Sequence, residues 1–263
     1  MNMSSLNQHA GLLTNKFTYR CGQPMPPYMS EALKFIGKVG VLTRPTWYHY
    51  LCPGTDQWKR EQLLNMVKRG LLVSHTCRNL QDVWVLSDWS KDLLRSKGLS
   101  CVPPIYPHLI EHDLVVGISM LTLKRQGVCK DWLTETEIKM KELNNFLIEK
   151  KANDSKYPDA VMRMPIKGHL AFAAIEYERT GKSTMRYRII LKQYSYLSSI
   201  EQIIYVIEEP SIKKRIINGL RYVGDKSLMD KVGFVNGFEW RKDPVTAPIM
   251  KAGMVTSLHE LRT

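Results

Sequence analysis

The apolar run Leu170-Ala171-Phe172-Ala173-Ala174-Ile175 stops abruptly at Glu176-Tyr177-Glu178, and upstream of it stands Tyr157-Pro158-Asp159. A short continuous apolar stretch reads as a buried strand. Side chains alternate along a strand, so Glu176 and Glu178 share one face. Asp159 falls on the turn that precedes it. Three carboxylates brought together in a chain with a surplus of positive charge need a reason to converge. A divalent metal is the usual one, since an oxygen-rich, acidic site suits Mg²⁺ or Mn²⁺. The plainer alternative makes Asp159 a turn former and the two glutamates a solvated strand face.

The chain has 263 residues and a net charge of +13, enough length for one large domain or two modest ones. Such an excess of positive charge points first to nucleic acid, whose condensed counterions are released on binding. No apolar run approaches the roughly 20 residues needed to span a bilayer. The polar segment from Met1 to Phe17 has no apolar stretch of the kind that directs secretion, so a cytoplasmic location is expected. The five cysteines are scattered without a CxxC pair, which argues against a zinc site or a disulfide framework.

Residues 1–27 read as an irregular arm ending in Pro24, Pro26 and Pro27. Ser30 is placed as the cap of a first helix carrying Leu33, Phe35, Ile36 and Val39. Thr43 caps a short second helix through Trp47 and Leu51, and Thr55 or Asp56 caps a third from Gln57 to Arg69. Strands Leu72 to Thr76 and Val83 to Leu86 follow, joined by a polar turn. Three short helices and a two-stranded ribbon give the order of a winged helix-turn-helix over residues 28–98. In that docking mode the third helix enters the major groove, making Gln57, Lys59, Arg60 and Gln62 the DNA-facing residues, with Arg78 and Asn79 at the ribbon tip. Modules of this shape also serve in protein interaction.

Residues 99–107, with three prolines, read as a linker to a second domain at 108–263. His108 to Gln126 is expected to form a long buried helix. Asp131 to Thr134 leads into a further segment, Glu135 to Lys151, whose acids and lysines alternate with Ile138, Met140, Leu143, Phe146 and Leu147. Asn153 to Ser155 is a loop. Beyond Glu178 come a polar turn, a helix from Tyr187 to Leu197 and a β-branched central strand Ile203 to Ile207. Ser211 is placed as the cap of a basic helix, Ile212 to Tyr222. Phe234 to Trp240 is the last expected strand, and the tail after Asp243 is weakly patterned. The fold class is α/β (α+β).

The order helix, acid-bearing turn, strand with acid-x-acid, helix, apolar strand resembles the core of restriction-endonuclease-like nucleases, whose signature is PD followed by (D/E)xK on the next strand. Pro158-Asp159 matches the first half. Glu176-Tyr177-Glu178 matches the second with Glu178 in place of lysine. With the N-terminal module, the arrangement resembles the replication-relaxation proteins of mobile elements and, among them, the MOBC-type conjugative relaxases. The similarity spans roughly residues 28–210, and also rests on Glu111-His112-Asp113-Leu114 and Trp132-Leu133-Thr134-Glu135.

This resemblance implies a nicking endonuclease that cuts one strand of double-stranded DNA at a transfer origin, with accessory mobilization proteins and a coupling protein as partners. It implies Mg²⁺ or Mn²⁺ held by Asp159, Glu176 and Glu178, with His112 or Glu111 completing the site. Lys182 and Lys192 are the candidates to replace the missing lysine. Water or a tyrosine, Tyr194 or Tyr196, would attack the phosphate. The competing expectation is a non-catalytic DNA-binding regulator or transfer accessory protein with a degenerate nuclease domain.

Overall fold

The computed structural model describes residues 17–77, 80–103, 106–140 and 157–261. The protein is mixed α/β, and the chain divides into two compact units: Met1–Gly37 with Leu42–Cys101, and Lys38–Val41 with Val102–Thr263.

In the first unit, α1 (Pro27–Val39) buries Leu33 and Ile36. It begins earlier than Ser30, because the fixed φ of proline suits the first helical position. Ser30 therefore lies inside the first turn, donating its hydroxyl to the Pro27 carbonyl at 2.8 Å. After β1 (Leu42–Thr43), Thr43 caps α2 (Arg44–Thr46) as anticipated, and the helix widens into a π turn over Trp47–Leu51. Trp47 is fully buried, and its indole N–H donates to the Lys59 carbonyl at 2.8 Å. Thr55 caps α3 (Asp56–Lys68). Strands β2 (Leu72–Cys77) and β3 (Leu80–Leu86) complete an antiparallel sheet of order β1-β3-β2. A fourth helix, α4 (Asp88–Ser96), was absent from the sequence expectations.

The second unit is built on a seven-stranded sheet. Helix α5 (Ile110–Arg125) precedes β4 (Asp131–Thr134) and α6 (Glu135–Met140). The rest of the segment to Lys151, and the Asn153–Ser155 loop, lie outside the described residues. Strands β5 (Ala160–Ile166) and β6 (His169–Glu178) form an antiparallel hairpin, with β4 on the outer side of β5. Strand β5 was not anticipated: Arg163 and Pro165 interrupt its apolar character. Pro165 is tolerated close to the hairpin end, pairing with Leu170.

From β6 the chain passes through α7 (Thr184–Ser195) to β7 (Ile200–Ile207). It then runs through α8 (Pro210–Val223) and α9 (Lys226–Lys231) to β8 (Val232–Asn236). Both steps return parallel to the preceding strand, leaving the Ile203–Ile207 run in the middle of the order β10-β9-β8-β7-β6-β5-β4. The expected cap Ser211 is replaced by Glu209 with Pro210 behind it, and Ser211 lies in the first turn. The expected strand to Trp240 ends at Asn236, whose side chain accepts from the Phe238 and Glu239 amides and starts α10 (Gly237–Lys242). A polar side chain that caps a helix stops the strand there. The weakly patterned tail forms β9 (Ile249–Lys251), β10 (Met254–Thr256) and α11 (Leu258–Leu261).

One core cluster joins Tyr187, Ile190, Leu191 and Tyr194 of α7 and Ile212, Ile216 and Leu220 of α8 to Ala174, Ile203 and Tyr205 of the sheet. Strand alternation therefore turns Glu176 and Glu178 toward α7, and Tyr177 toward the opposite face.

Candidate active site

Asp159 occupies the turn residue immediately before β5, and β5 pairs with β6 so that Ala160 lies opposite Ile175. That register carries the Asp159 carboxylate to the backbone of Tyr177, whose N–H donates to Oδ2 at 2.8 Å. The first acid is thus held against the amide between the other two. Glu176 and Glu178 are only 1% and 2% exposed, so a solvated strand face is excluded. Glu176 accepts a short hydrogen bond from the Tyr194 hydroxyl. Glu178 forms an ion pair with Lys182, whose ammonium reaches both carboxylate oxygens. Of the two candidate replacement lysines, Lys182 is at the site and Lys192 is exposed on α7.

His112 comes from α5. Its Nδ1 lies 2.8 Å from Asp113 Oδ1, and its Nε2 lies 3.3 Å from Asp159 Oδ2 and 3.2 Å from the Tyr177 carbonyl. Burial disfavours the imidazolium, but the hydrogen bonds and charges of Asp113 and Asp159 outweigh it and raise the pKa to about 10. At neutral pH His112 is a cation between two carboxylates, a positioning group and a poor base. Glu111, its neighbour, does not join the site. It turns outward on the helix surface and pairs with Arg179 at 2.5 Å.

Sequence reasoning missed two tyrosines, Tyr187 and Tyr205, which lie in segments that read as plain apolar structure. Both are fully buried. Burial and the charges of Glu176, Glu178 and Asp159 push the Tyr205 phenol well above its ordinary value, and its hydroxyl has no hydrogen-bond partner. Tyr194 is raised by burial and by Glu176. A phenol held neutral this firmly is a donor to Glu176 and a poor nucleophile. Tyr196 is 72% exposed and does not line the pocket beside the acids. On the other face, Tyr177 donates its hydroxyl to Glu208 at 2.7 Å, and Arg241 of α10 binds both groups. The Thr134-x-x-Glu137 stretch proves to be a reciprocal capping box: Thr134 N–H donates to Glu137 at 2.9 Å, and Glu137 N–H donates to the Thr134 hydroxyl at 3.2 Å.

A pocket of about 630 Å³ opens here, lined among others by His112, Asp113, Asp159, Tyr177, Glu178 and Lys182; Glu176 does not line it. The donor set is chemically right for a hard divalent cation, and the partnerless Tyr205 hydroxyl adds an oxygen beside it. As arranged, each carboxylate holds a protein donor instead. Among the described residues no group of three or more His, Cys, Asp or Glu side chains is gathered to hold a metal ion.

In the first unit, Gln57 and Arg60 are exposed on α3, and Gln57 donates to Glu61 at 3.2 Å. Lys59 is partly buried, its ammonium 3.6 Å from Asp56 and above the Tyr48 ring. Gln62 is not free to read DNA: it accepts from the Tyr28 hydroxyl at 3.1 Å and ties α3 to α1. Arg78 and Asn79 lie outside the described residues. No helix among the described residues is long and apolar enough to cross a membrane. Compared with known proteins, the chain finds no counterpart: no family model, no curated protein and no solved structure matches it.

Proposed function

We propose that the protein is a metal-dependent DNA endonuclease that nicks one strand, with a winged-helix first unit and a restriction-endonuclease-like second unit. The observation that carries the reading is the Asp159–Tyr177 N–H hydrogen bond, which sets the PD-type acid against the Glu-x-Glu strand. Support comes from the order around it: α5, the acid-bearing turn, β6 with its two acids, α7, and the buried parallel β7. In the first unit the order of α1, α2 and α3, then β2 and β3, with β1 as a third strand, supports a winged helix in which Gln57 and Arg60 face the groove.

Asp159 and Glu178 line the pocket and would hold Mg²⁺ or Mn²⁺, with Glu176 and Tyr205 beside them. A cation bound there supplies neutralisation of the charge that develops on the scissile phosphate. His112 fixes the orientation of Asp159, as carboxylate ligands are commonly held by neighbouring hydrogen bonds. Lys182 brings the positive charge that the sequence motif lacks at Glu178. Water is the attacking group, because Tyr194 is buried and neutral. On the motif resemblance of Pro158-Asp159 and Glu176-Tyr177-Glu178 to MOBC-type relaxases, the substrate in this reading is the transfer origin of a mobile element.

The test is nicking of supercoiled DNA carrying the element's own transfer origin, with Mg²⁺ or Mn²⁺, by wild type, Asp159→Asn and Glu178→Gln. Loss of nicking in both variants is expected; undiminished nicking by Asp159→Asn refutes the site. One observation favours the second reading, a DNA-binding regulator with a degenerate nuclease unit: the Lys182 ammonium already neutralises Glu178. Sequence-specific binding with no cleavage under any metal would establish that alternative.

A further inference from the structure

Helices α7 and α8 pack side by side and together carry Arg186, Arg188, Lys192, Lys213, Lys214, Arg215 and Arg221, with no acidic residue on either. That is a large share of the chain's net charge of +13 concentrated on two neighbouring helices. Elsewhere in the second unit the common pattern is compensation, as in Arg163 with Asp131, Lys139 with Glu135 and Arg241 with Glu208. Among the described residues none of the seven forms an ion pair. The acids bordering them are Glu209 and Asp225, the N-caps of α8 and α9.

Placement makes the cluster costlier. Lys213 ends the first turn of α8, with Lys214 and Arg215 directly behind it, near the helix end whose dipole disfavours cations and attracts anions. Lys213 turns aside onto the Phe234 ring. Arg215 donates to the carbonyls of Gly181 and Lys182, two residues that line the pocket, so the basic face starts at the pocket rim. Arg188 sits over the exposed Tyr222 ring, its Cζ 3.9 Å from the centroid, with its Nε lacking any hydrogen-bond partner. Met185, Ile189 and Tyr222 are exposed among these cations. Positive charge interleaved with aromatic and apolar side chains is the composition that follows a nucleic-acid strand, charge meeting phosphate and rings meeting sugars and bases.

We propose that the outer face of α7 and α8 is a docking track for the phosphodiester backbone of DNA leading to the pocket. This rests on the reading of the protein as DNA-acting but not on cleavage. Arg186, Lys192, Lys214 and Arg221 are exposed and touch none of the site acids, so they can be neutralised without disturbing the site.

The experiment measures fluorescence anisotropy of labelled duplex and single-stranded oligonucleotides across a salt series. It compares wild type with Arg186→Gln/Lys192→Gln/Lys214→Gln/Arg221→Gln. Each lost phosphate contact removes about 0.9 from the slope of log K against log salt for duplex and about 0.7 for a single strand. The quadruple variant should therefore lose roughly 3 to 4 in slope and bind at least about tenfold more weakly at low salt. Whichever form shows the larger loss is the one the track holds. Should the quadruple variant misfold by circular dichroism, Lys214→Gln/Arg221→Gln is expected to lose roughly half as much slope. An unchanged slope in a folded variant overturns the proposal. So does a wild-type chain that binds phosphatidylserine vesicles but no oligonucleotide. A chain that binds with this slope yet cuts nothing removes the nuclease reading and leaves the track standing. A nicking chain whose folded variant keeps its slope does the reverse.

Discussion

Tyr194→Phe and Tyr205→Phe delete the same atom from two fully buried tyrosines of one core cluster, yet the effects should have opposite sign. The Tyr194 hydroxyl donates to the carboxylate of Glu176, which is 1% exposed. A hydrogen bond to a charged group contributes about 1.5–3 kcal/mol. Tyr194→Phe should therefore destabilise by about 2 kcal/mol, a fall of roughly 4–8 °C in Tm for a unit of this size. The Tyr205 hydroxyl has no partner. Burying an unpaired hydroxyl costs about 1–3 kcal/mol. Tyr205→Phe should remove part of that cost without opening a cavity, raising stability by about 1 kcal/mol and Tm by roughly 2–4 °C. Urea and thermal unfolding of the full chain in EDTA, followed by circular dichroism, measure both. Equal destabilisation by the two variants would refute the reasoning, because it would show that the Tyr205 hydroxyl is satisfied in the folded protein.

Gly37→Ala sets helix propensity against packing. Alanine favours a helix interior by about 1 kcal/mol, but a Cβ there would stand 2.5 Å from the Ser100 carbonyl oxygen and 2.7 Å from Leu94 Cδ1. A net loss of about 1–3 kcal/mol is expected in urea unfolding. Glu208 is pulled below its usual range: burial works against ionisation, but the hydrogen bonds from Arg241 and Tyr177 and the Arg241 charge prevail. A lowered folded-state pKa gives stability that is present above the ordinary glutamate value and lost as pH falls through the folded one. Glu208→Gln should thus flatten the acid limb of a stability profile below about pH 4.5, with little change in its shape near neutrality. Arg60→Gln should weaken duplex binding and lower its salt slope by about 0.9. Gln62→Ala should lower stability through the lost Tyr28 contact and leave that slope unchanged, as anisotropy and melting together would show.

The helix order of the first unit was legible because its signals are local. Thr43 and Thr55 act through hydroxyls that accept from amides three residues on. The Ile203–Ile207 run was legible as a central strand because a strand buried on both faces has to be apolar throughout. The caps placed at Ser30 and Ser211 failed for a local reason too. A proline before each serine opens the helix earlier, and the serine then falls within the first turn. Strand β5 and the β9–β10 hairpin were not legible. Arg163 and Pro165 break the apolar pattern of β5, and β9 and β10 are only three residues each, so pairing with neighbouring strands rather than their own pattern decides them.

The sequence by itself determined that Asp159, Glu176 and Glu178 would lie near buried structure in a basic chain, because strand period and apolar runs are properties of adjacent residues. Only the tertiary structure decided what those acids meet. The register of β5 on β6 brings Asp159 to the Tyr177 amide. The packing of α7 supplies Tyr194, the loop before it supplies Lys182, and α5 supplies His112 while turning Glu111 to solvent. A carboxylate's partners are set by through-space distance, to which residue order along the chain gives no direct measure.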